Sequence, residues 1–120
     1  MNYMLLIYEN EANWLTMSPE EQGKIFGEYM AFTESIRASG HYVSGNPLDA
    51  TNTATTVRVR DGKTMTTDGP FAETREHLGG YYHIQAADLD EAIAIAARIP
   101  GALVGSIEIR PIPQMGGGDQ

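Results

Sequence analysis

The stretch Tyr3-Met4-Leu5-Leu6-Ile7-Tyr8 is apolar almost without a break. In so short a run this reads as a strand buried on both faces, because a half-exposed strand would alternate with polar residues. That strand belongs at the centre of a sheet. Downstream, Ser18-Pro19-Glu20-Glu21 opens a helix, with Ser18 and Glu21 as a capping-box pair, proline at the first helical position and acids on the positive end of the dipole. Ile25, Tyr29, Phe32 and Ile36 then recur at helical spacing, flanked by Phe26 and Met30, and Gly40 stops the helix. That stripe is read as core.

The elements that follow complete a pattern. His41 to Ser44 reads as a short strand, broken at Gly45-Asn46-Pro47. Thr55 to Arg60 and Lys63 to Thr67 flank Asp61-Gly62, a dipeptide that tolerates the positive φ angles of a tight hairpin. Gly79 to Ala87 is another strand, and Asp88 caps a second helix with Glu91 three residues on. Leu89, Ile93, Ala96 and Ala97 form the expected apolar face of that helix, Pro100 ends it, and Val104 to Arg110 is the last strand. Strand, helix, strand, added hairpin, strand, helix, strand is the split βαβ plan of an α+β, ferredoxin-like fold with an inserted β-hairpin. Right-handed crossovers then place both helices on one face of an antiparallel sheet. The opening strand is apolar on its other face too, and a second copy is the economical cover, giving a homodimer whose two sheets enclose a barrel-like interior. Residues 1–112 are expected as one domain, and 113–120, with Gly116-Gly117-Gly118, as a flexible Gly-rich tail.

Composition narrows the function. The chain has 120 residues, 42% of them hydrophobic, which suffices for one compact core. Its formal charge of −8 repels phosphate backbones and anionic membrane surfaces, so nucleic acid and membrane are excluded as partners. There is no cysteine, which removes thiolate ligands and thiol nucleophiles and fits a reducing, cytoplasmic setting. The apolar opening run is too short for a membrane span or signal-peptide core. No His-x-His, His-x-x-x-His or Glu-x-x-His spacing occurs, and the glycine run lacks a strand-to-helix context, so neither a metal site nor another cofactor is expected.

Asp68-Gly69-Pro70-Phe71, continued as Ala72-Glu73-Thr74-Arg75-Glu76-His77-Leu78-Gly79-Gly80-Tyr81-Tyr82, resembles the signature of the DGPF family, a branch of the YCII-related proteins. The resemblance extends to the opening Tyr3 to Tyr8, to Asp88-Leu89-Asp90-Glu91-Ala92 and to the closing Gly105-Ser106-Ile107-Glu108-Ile109-Arg110-Pro111. It implies a dimeric α+β barrel and no known reaction. Some YCII-related proteins are thought to use a His-Asp pair in a cleft beside the sheet. The corresponding histidine position on the first helix falls near Glu28 or Tyr29, and neither is a histidine. Family members are often encoded beside alternative sigma factors, which makes a sigma factor an implied partner.

Candidate functional residues follow from chemistry and spacing. Asp68 precedes Gly-Pro, where an aspartate commonly fixes a turn through its own backbone N–H groups; the functional alternative is a carboxylate base at the barrel mouth. Phe71 is expected to anchor that loop. Tyr81, His83 and Gln85 share one face of their strand, and His83 is a candidate general base as well as a candidate packed side chain. His41 and His77 are read as exposed or capping. Glu108 and Arg110 share a face of the last strand, either as a surface ion pair or as holders of a small anionic ligand. The catalytic candidates are thus Asp68 and His83, and the substrate-binding candidates are Tyr29, Tyr81, Glu108 and Arg110. Two functions compete: a small-molecule binder or cofactor-independent enzyme carrying out proton transfer, such as isomerisation or elimination, in a polar barrel pocket; or a non-catalytic accessory protein whose acidic surface meets a sigma factor or another basic partner.

Overall fold

The computed structural model describes residues 1–114, so the Gly-rich tail expected at 113–120 lies, beyond Gln114, outside the described residues. The chain runs β1 (Asn2–Glu9), α1 (Glu11–Leu15), α2 (Pro19–Ala38), β2 (Tyr42–Pro47), β3 (Thr55–Arg60), β4 (Lys63–Asp68), β5 (His77–Gln85), α3 (Leu89–Ala96) and β6 (Ser106–Ile112), with 3₁₀ turns at Thr51–Thr53 and Pro100–Leu103. Four strands form one antiparallel sheet in the order β2-β5-β1-β6, and β3 and β4 pair only with each other. With the hairpin set aside, this is the ferredoxin-like arrangement, and β1 is central.

The local signals act as their chemistry requires. Ser18 Oγ accepts from the Glu21 N–H while the Glu21 carboxylate accepts from the Ser18 N–H, so two otherwise unpaired donors are satisfied. Asp61 and Gly62 take φ of 52° and 74°, the left-handed pair that a two-residue hairpin needs. Helix α1 was not expected from the pattern; Asn10 caps it by accepting from the Ala12 N–H. Strand β2 runs on through Gly45-Asn46-Pro47 rather than breaking there, because it is an edge strand where proline's missing N–H costs no ladder bond.

The core lies between the sheet and the helices. Tyr3, Leu5 and Ile7 of β1 and Tyr82 and Ile84 of β5 meet Phe32 and Ile36 of α2 and Ala92, Ile95 and Ala96 of α3, with Ile99 beyond. Phe32 and Tyr82 stack edge-to-face at 5.2 Å between centroids. The apolar face of α3 is therefore offset from the expected one. Only Ala96 is shared, while Leu89 and Ile93 stand half exposed and Ala97 is exposed. The small alanines let the helix approach the sheet, which size-weighted periodicity does not register.

On the far side of the sheet, Met4, Leu6 and Tyr8 are only half covered within one chain. Phe71 is 80% exposed, so the expected anchoring of its loop does not occur within the chain. No helix among the described residues is long and apolar enough to cross a membrane.

Candidate functional site

The ladder decides where the sequence candidates fall. Met4 of β1 stands opposite His83 of β5 on one side and Arg110 of β6 on the other, and Leu6 stands opposite Tyr81 and Glu108. Directly opposed residues point the same way, so Tyr81, His83, Glu108 and Arg110 all occupy the sheet face away from the helices. On that face His83 Nε2 lies 3.0 Å from Asn2 Oδ1, Asn46 donates to the Tyr81 hydroxyl at 3.0 Å, and the Tyr8 hydroxyl donates to Glu108 at 3.3 Å. Arg110 and Glu108 are 3.9 Å apart and mostly solvated, a geometry worth about 0–1 kcal/mol. Tyr29 lies on the opposite side, on α2, and Asp68 ends β4, exposed and paired with Thr55 at the base of the hairpin. The candidates thus separate into three places.

A different set converges on the helix side. A groove of about 690 Å³ opens between α1, α2, the edge strand β2 and the loop after it. Its walls are largely apolar, with Trp14, Phe26, Met30, Tyr42 and Leu48 among them, and Glu9, Tyr29 and His77 are among its polar groups. The Tyr29 hydroxyl donates to Glu9 Oε1 at 3.3 Å and accepts from the Gly101 N–H at 3.1 Å. Burial first, and then the charge of Glu9, push the Tyr29 hydroxyl far above the ordinary phenol value of 10.0. It therefore stays protonated and acts as a hydrogen-bond donor. Thr33 gives its only proton to the Tyr29 carbonyl at 2.8 Å, so the Tyr82 hydroxyl, 2.8 Å from Thr33 Oγ1, must donate to it.

His77 enters this set through a bulge. Ile7 pairs with Gly80, but Tyr8 pairs with Leu78 and Glu9 with His77, so Gly79 is an extra residue on β5. Simple alternation from Tyr81 and His83 would send His77 to the open face. The inserted Gly79 turns it to the helix side, opposite Glu9, where cross-strand Cβ atoms stand roughly 4.5–5.5 Å apart. His77 is half buried rather than exposed, and its Nδ1 is fully buried with no hydrogen-bond partner. Such a group is costly to leave unmatched and marks a place where a further polar atom would be stabilising. The other histidine given little weight, His41, lies between Ser39 Oγ at 2.7 Å and Glu91 at 3.1 Å and ties the end of α2 to α3.

A YCII-related domain profile matches residues 1–116. The chain belongs to the YCII-related family. It is 36% identical over 114 residues to an uncharacterized protein of Rhizobium meliloti (strain 1021), an alignment covering 93% of this chain and 92% of that one. This YCII-related chain lacks a histidine at or beside Tyr29, but it holds an imidazole and a carboxylate together in a cleft beside the sheet, supplied by β5 and β1. The carboxylate Glu9 closes the apolar run of β1, and the imidazole His77 lies within the Asp68-to-Tyr82 motif.

Proposed function

We propose that this YCII-related protein, of the DGPF branch, binds a small molecule in the groove beside α2 and carries out cofactor-independent proton transfer on it, as a homodimer. The observation that carries the reading is the buried, partnerless Nδ1 of His77 beside Glu9 and Tyr29. A carboxylate and an imidazole are the side chains suited to remove or return a proton near neutral pH, and a tyrosine held protonated donates to an oxygen on which negative charge develops. Isomerisation or elimination next to a carbonyl needs this combination. The ligand is uncharged or cationic and partly apolar, because Glu9, Glu11, Glu34 and Asp49 line the groove against one arginine, Arg37, which already pairs with Glu34 at 2.8 Å.

The open sheet face supplies the second reading, since His83, Glu108 and Arg110 share it and an anion would be held by Arg110 once a second sheet covered that face. A thermal-shift screen separates the two. Uncharged carbonyl compounds and amines should raise the melting temperature, with the rise lost in Glu9→Gln and His77→Ala and kept in Arg110→Ala, because ligand binding to the folded state stabilises by mass action. Shifts produced only by carboxylates or phosphates, and lost only in Arg110→Ala, would move the site to the open face. If no compound shifts either protein, the non-catalytic reading with a sigma factor or other partner stands in its place. Light scattering after gel filtration should give about twice the 13.1 kDa chain mass.

A further inference from the structure

The Tyr29 hydroxyl is fixed at its oxygen and free at its proton. The Gly101 N–H donates to that oxygen at 3.1 Å from the 3₁₀ turn Pro100–Leu103, which is itself closed by the Gly105 N–H donating to the Gly101 carbonyl at 2.8 Å. A Cβ at Gly101 would meet the Glu9 carboxylate and the Tyr29 hydroxyl, and one at Gly105 would meet the Tyr8 carbonyl and Glu9 Cγ, so the turn comes this close only because both positions are glycine. The one proton of the hydroxyl goes to Glu9 Oε1 across 3.3 Å, longer than the roughly 2.5–3.0 Å usual between two oxygens. A long bond of this kind is weak and is exchanged when a better acceptor arrives. Rotation about the phenol C–O bond turns the proton while the oxygen stays where Gly101 holds it.

Charge decides when the proton turns. Tyr29 faces Glu9 from α2 and His77 faces it from β5, while Gly101 and Gly105 bring no charge from the turn. Glu11 of α1 lines the same groove with its carboxylate occupied by the Thr51 N–H and hydroxyl at 2.7 and 2.9 Å, and Arg37 is paired with Glu34. Among the described residues no lysine or arginine forms an ion pair with Glu9. A ligand oxyanion placed beside the Glu9 carboxylate would therefore repel it, whereas a single negative charge is matched by the single tyrosine proton.

We propose that this part of the groove holds one negative charge at a time and that the Tyr29 proton follows it: to Glu9 when the ligand is a neutral carbonyl compound, and to the ligand oxygen once Glu9 has taken a proton from the carbon beside that carbonyl. In that step the C–H electron pair becomes the second bond of a C=C, the carbonyl π pair moves onto oxygen as an enolate, and the proton rests on Glu9, from which it returns to carbon. The substrate class is an enolisable carbonyl compound that is uncharged at its reacting end. A delocalised oxyanion mimics the enolate and binds together with one proton. The inference rests on the proton-transfer reading proposed above and adds to it a substrate class and a charge requirement.

The probe is 3,4-dinitrophenolate, a delocalised aromatic oxyanion whose absorbance reports whether it stays ionised. Calorimetric titration at fixed pH, in buffers of different ionisation heat, counts the protons taken up on binding. The parent should take up about one proton with the dye still ionised, and its affinity should fall about tenfold for each unit of rising pH; Glu9→Gln should take up none and show no such fall. Tyr29→Phe keeps the ring and should bind the dye about tenfold or more weakly, having lost a hydrogen bond to a charged group. Proton uptake that persists in Glu9→Gln, a dye that loses its ionised spectrum on binding, or equal affinity in Tyr29→Phe would each overturn the proposal. No dye binding in the parent or in Glu9→Gln would overturn it as well, and would leave the groove reading standing where uncharged carbonyl compounds still raise the melting temperature in a Glu9-dependent way. Dye binding abolished by Arg110→Ala and unchanged in Glu9→Gln and Tyr29→Phe would place the anion on the open sheet face and overturn both.

Discussion

Gly101→Ala tests the polar groups of the groove through a single added methyl group. Gly101 is buried in the 3₁₀ turn before β6, and a Cβ there would sit 2.7 Å from the Tyr29 hydroxyl, 3.2 Å from Ile7 Cγ2 and closer still to the Glu9 carboxylate. Its backbone is not in the left-handed region, so the effect is steric rather than conformational. The carboxylate and the phenol must move apart from the methyl, which breaks the Tyr29–Glu9 bond at 3.3 Å and lengthens the Gly101–Tyr29 bond at 3.1 Å. At about 0.5–1.5 kcal/mol net for each hydrogen bond, the loss is about 1–3 kcal/mol. Urea unfolding reads this as a midpoint lower by about 1 M with an unchanged slope. The double variant Tyr29→Phe/Gly101→Ala should lose less than the sum of the single variants, because both act on one contact. A Gly101→Ala protein within about 0.5 kcal/mol of the parent would refute the packing of Glu9, Tyr29 and Gly101 described above.

The Tyr29 hydroxyl also sets a pH dependence. Its folded value lies above the ordinary 10.0, so its contribution to stability is complete below pH 10.0 and is lost as the pH rises beyond it, where the unfolded chain ionises first. Melting temperatures followed from neutral pH to above pH 10.0 should therefore fall more steeply for the parent than for Tyr29→Phe; parallel curves would show that Tyr29 is not the group responsible. Phe71→Ala should cost less than about 0.5 kcal/mol in a monomeric variant, since an 80% exposed ring leaves no cavity, and a large loss in urea unfolding would mean that Phe71 is covered after all.

The parts of the fold that the sequence discloses are those governed by local chemistry. The Ser18–Glu21 box, the Asp61-Gly62 turn and the unbroken apolar run of β1 each act within a few residues, and each stands where its chemistry places it. That Glu108 and Arg110 share a sheet face with Tyr81 and His83 depends on the register between strands, which only the β5-β1-β6 ladder supplies. The groove was hidden for a sharper reason. One extra residue, Gly79, reverses the direction of His77, so period-two alternation assigns that histidine to the wrong face of the sheet. Helix α3 misleads in another way, since its largest aliphatic residues point outward and alanines make the contact. What Phe71 and the blade of the hairpin lie against could not be read from the sequence, because their surroundings within one chain are mostly solvent.

The central claim is that a small molecule binds beside Glu9, Tyr29 and His77, and amide mapping by nuclear magnetic resonance tests it most directly, using the compound that gives the largest thermal shift. The indole N–H of Trp14, in the groove wall, and the amide of Gly101, which donates to the Tyr29 hydroxyl, are single, assignable reporters of the groove, and those of Glu108 and Arg110 report the open sheet face. The result expected is movement of Trp14 and Gly101 in the parent and in Arg110→Ala, abolished in His77→Ala. Movement confined to Glu108, Arg110 and their neighbours, with Trp14 and Gly101 unshifted, would contradict it.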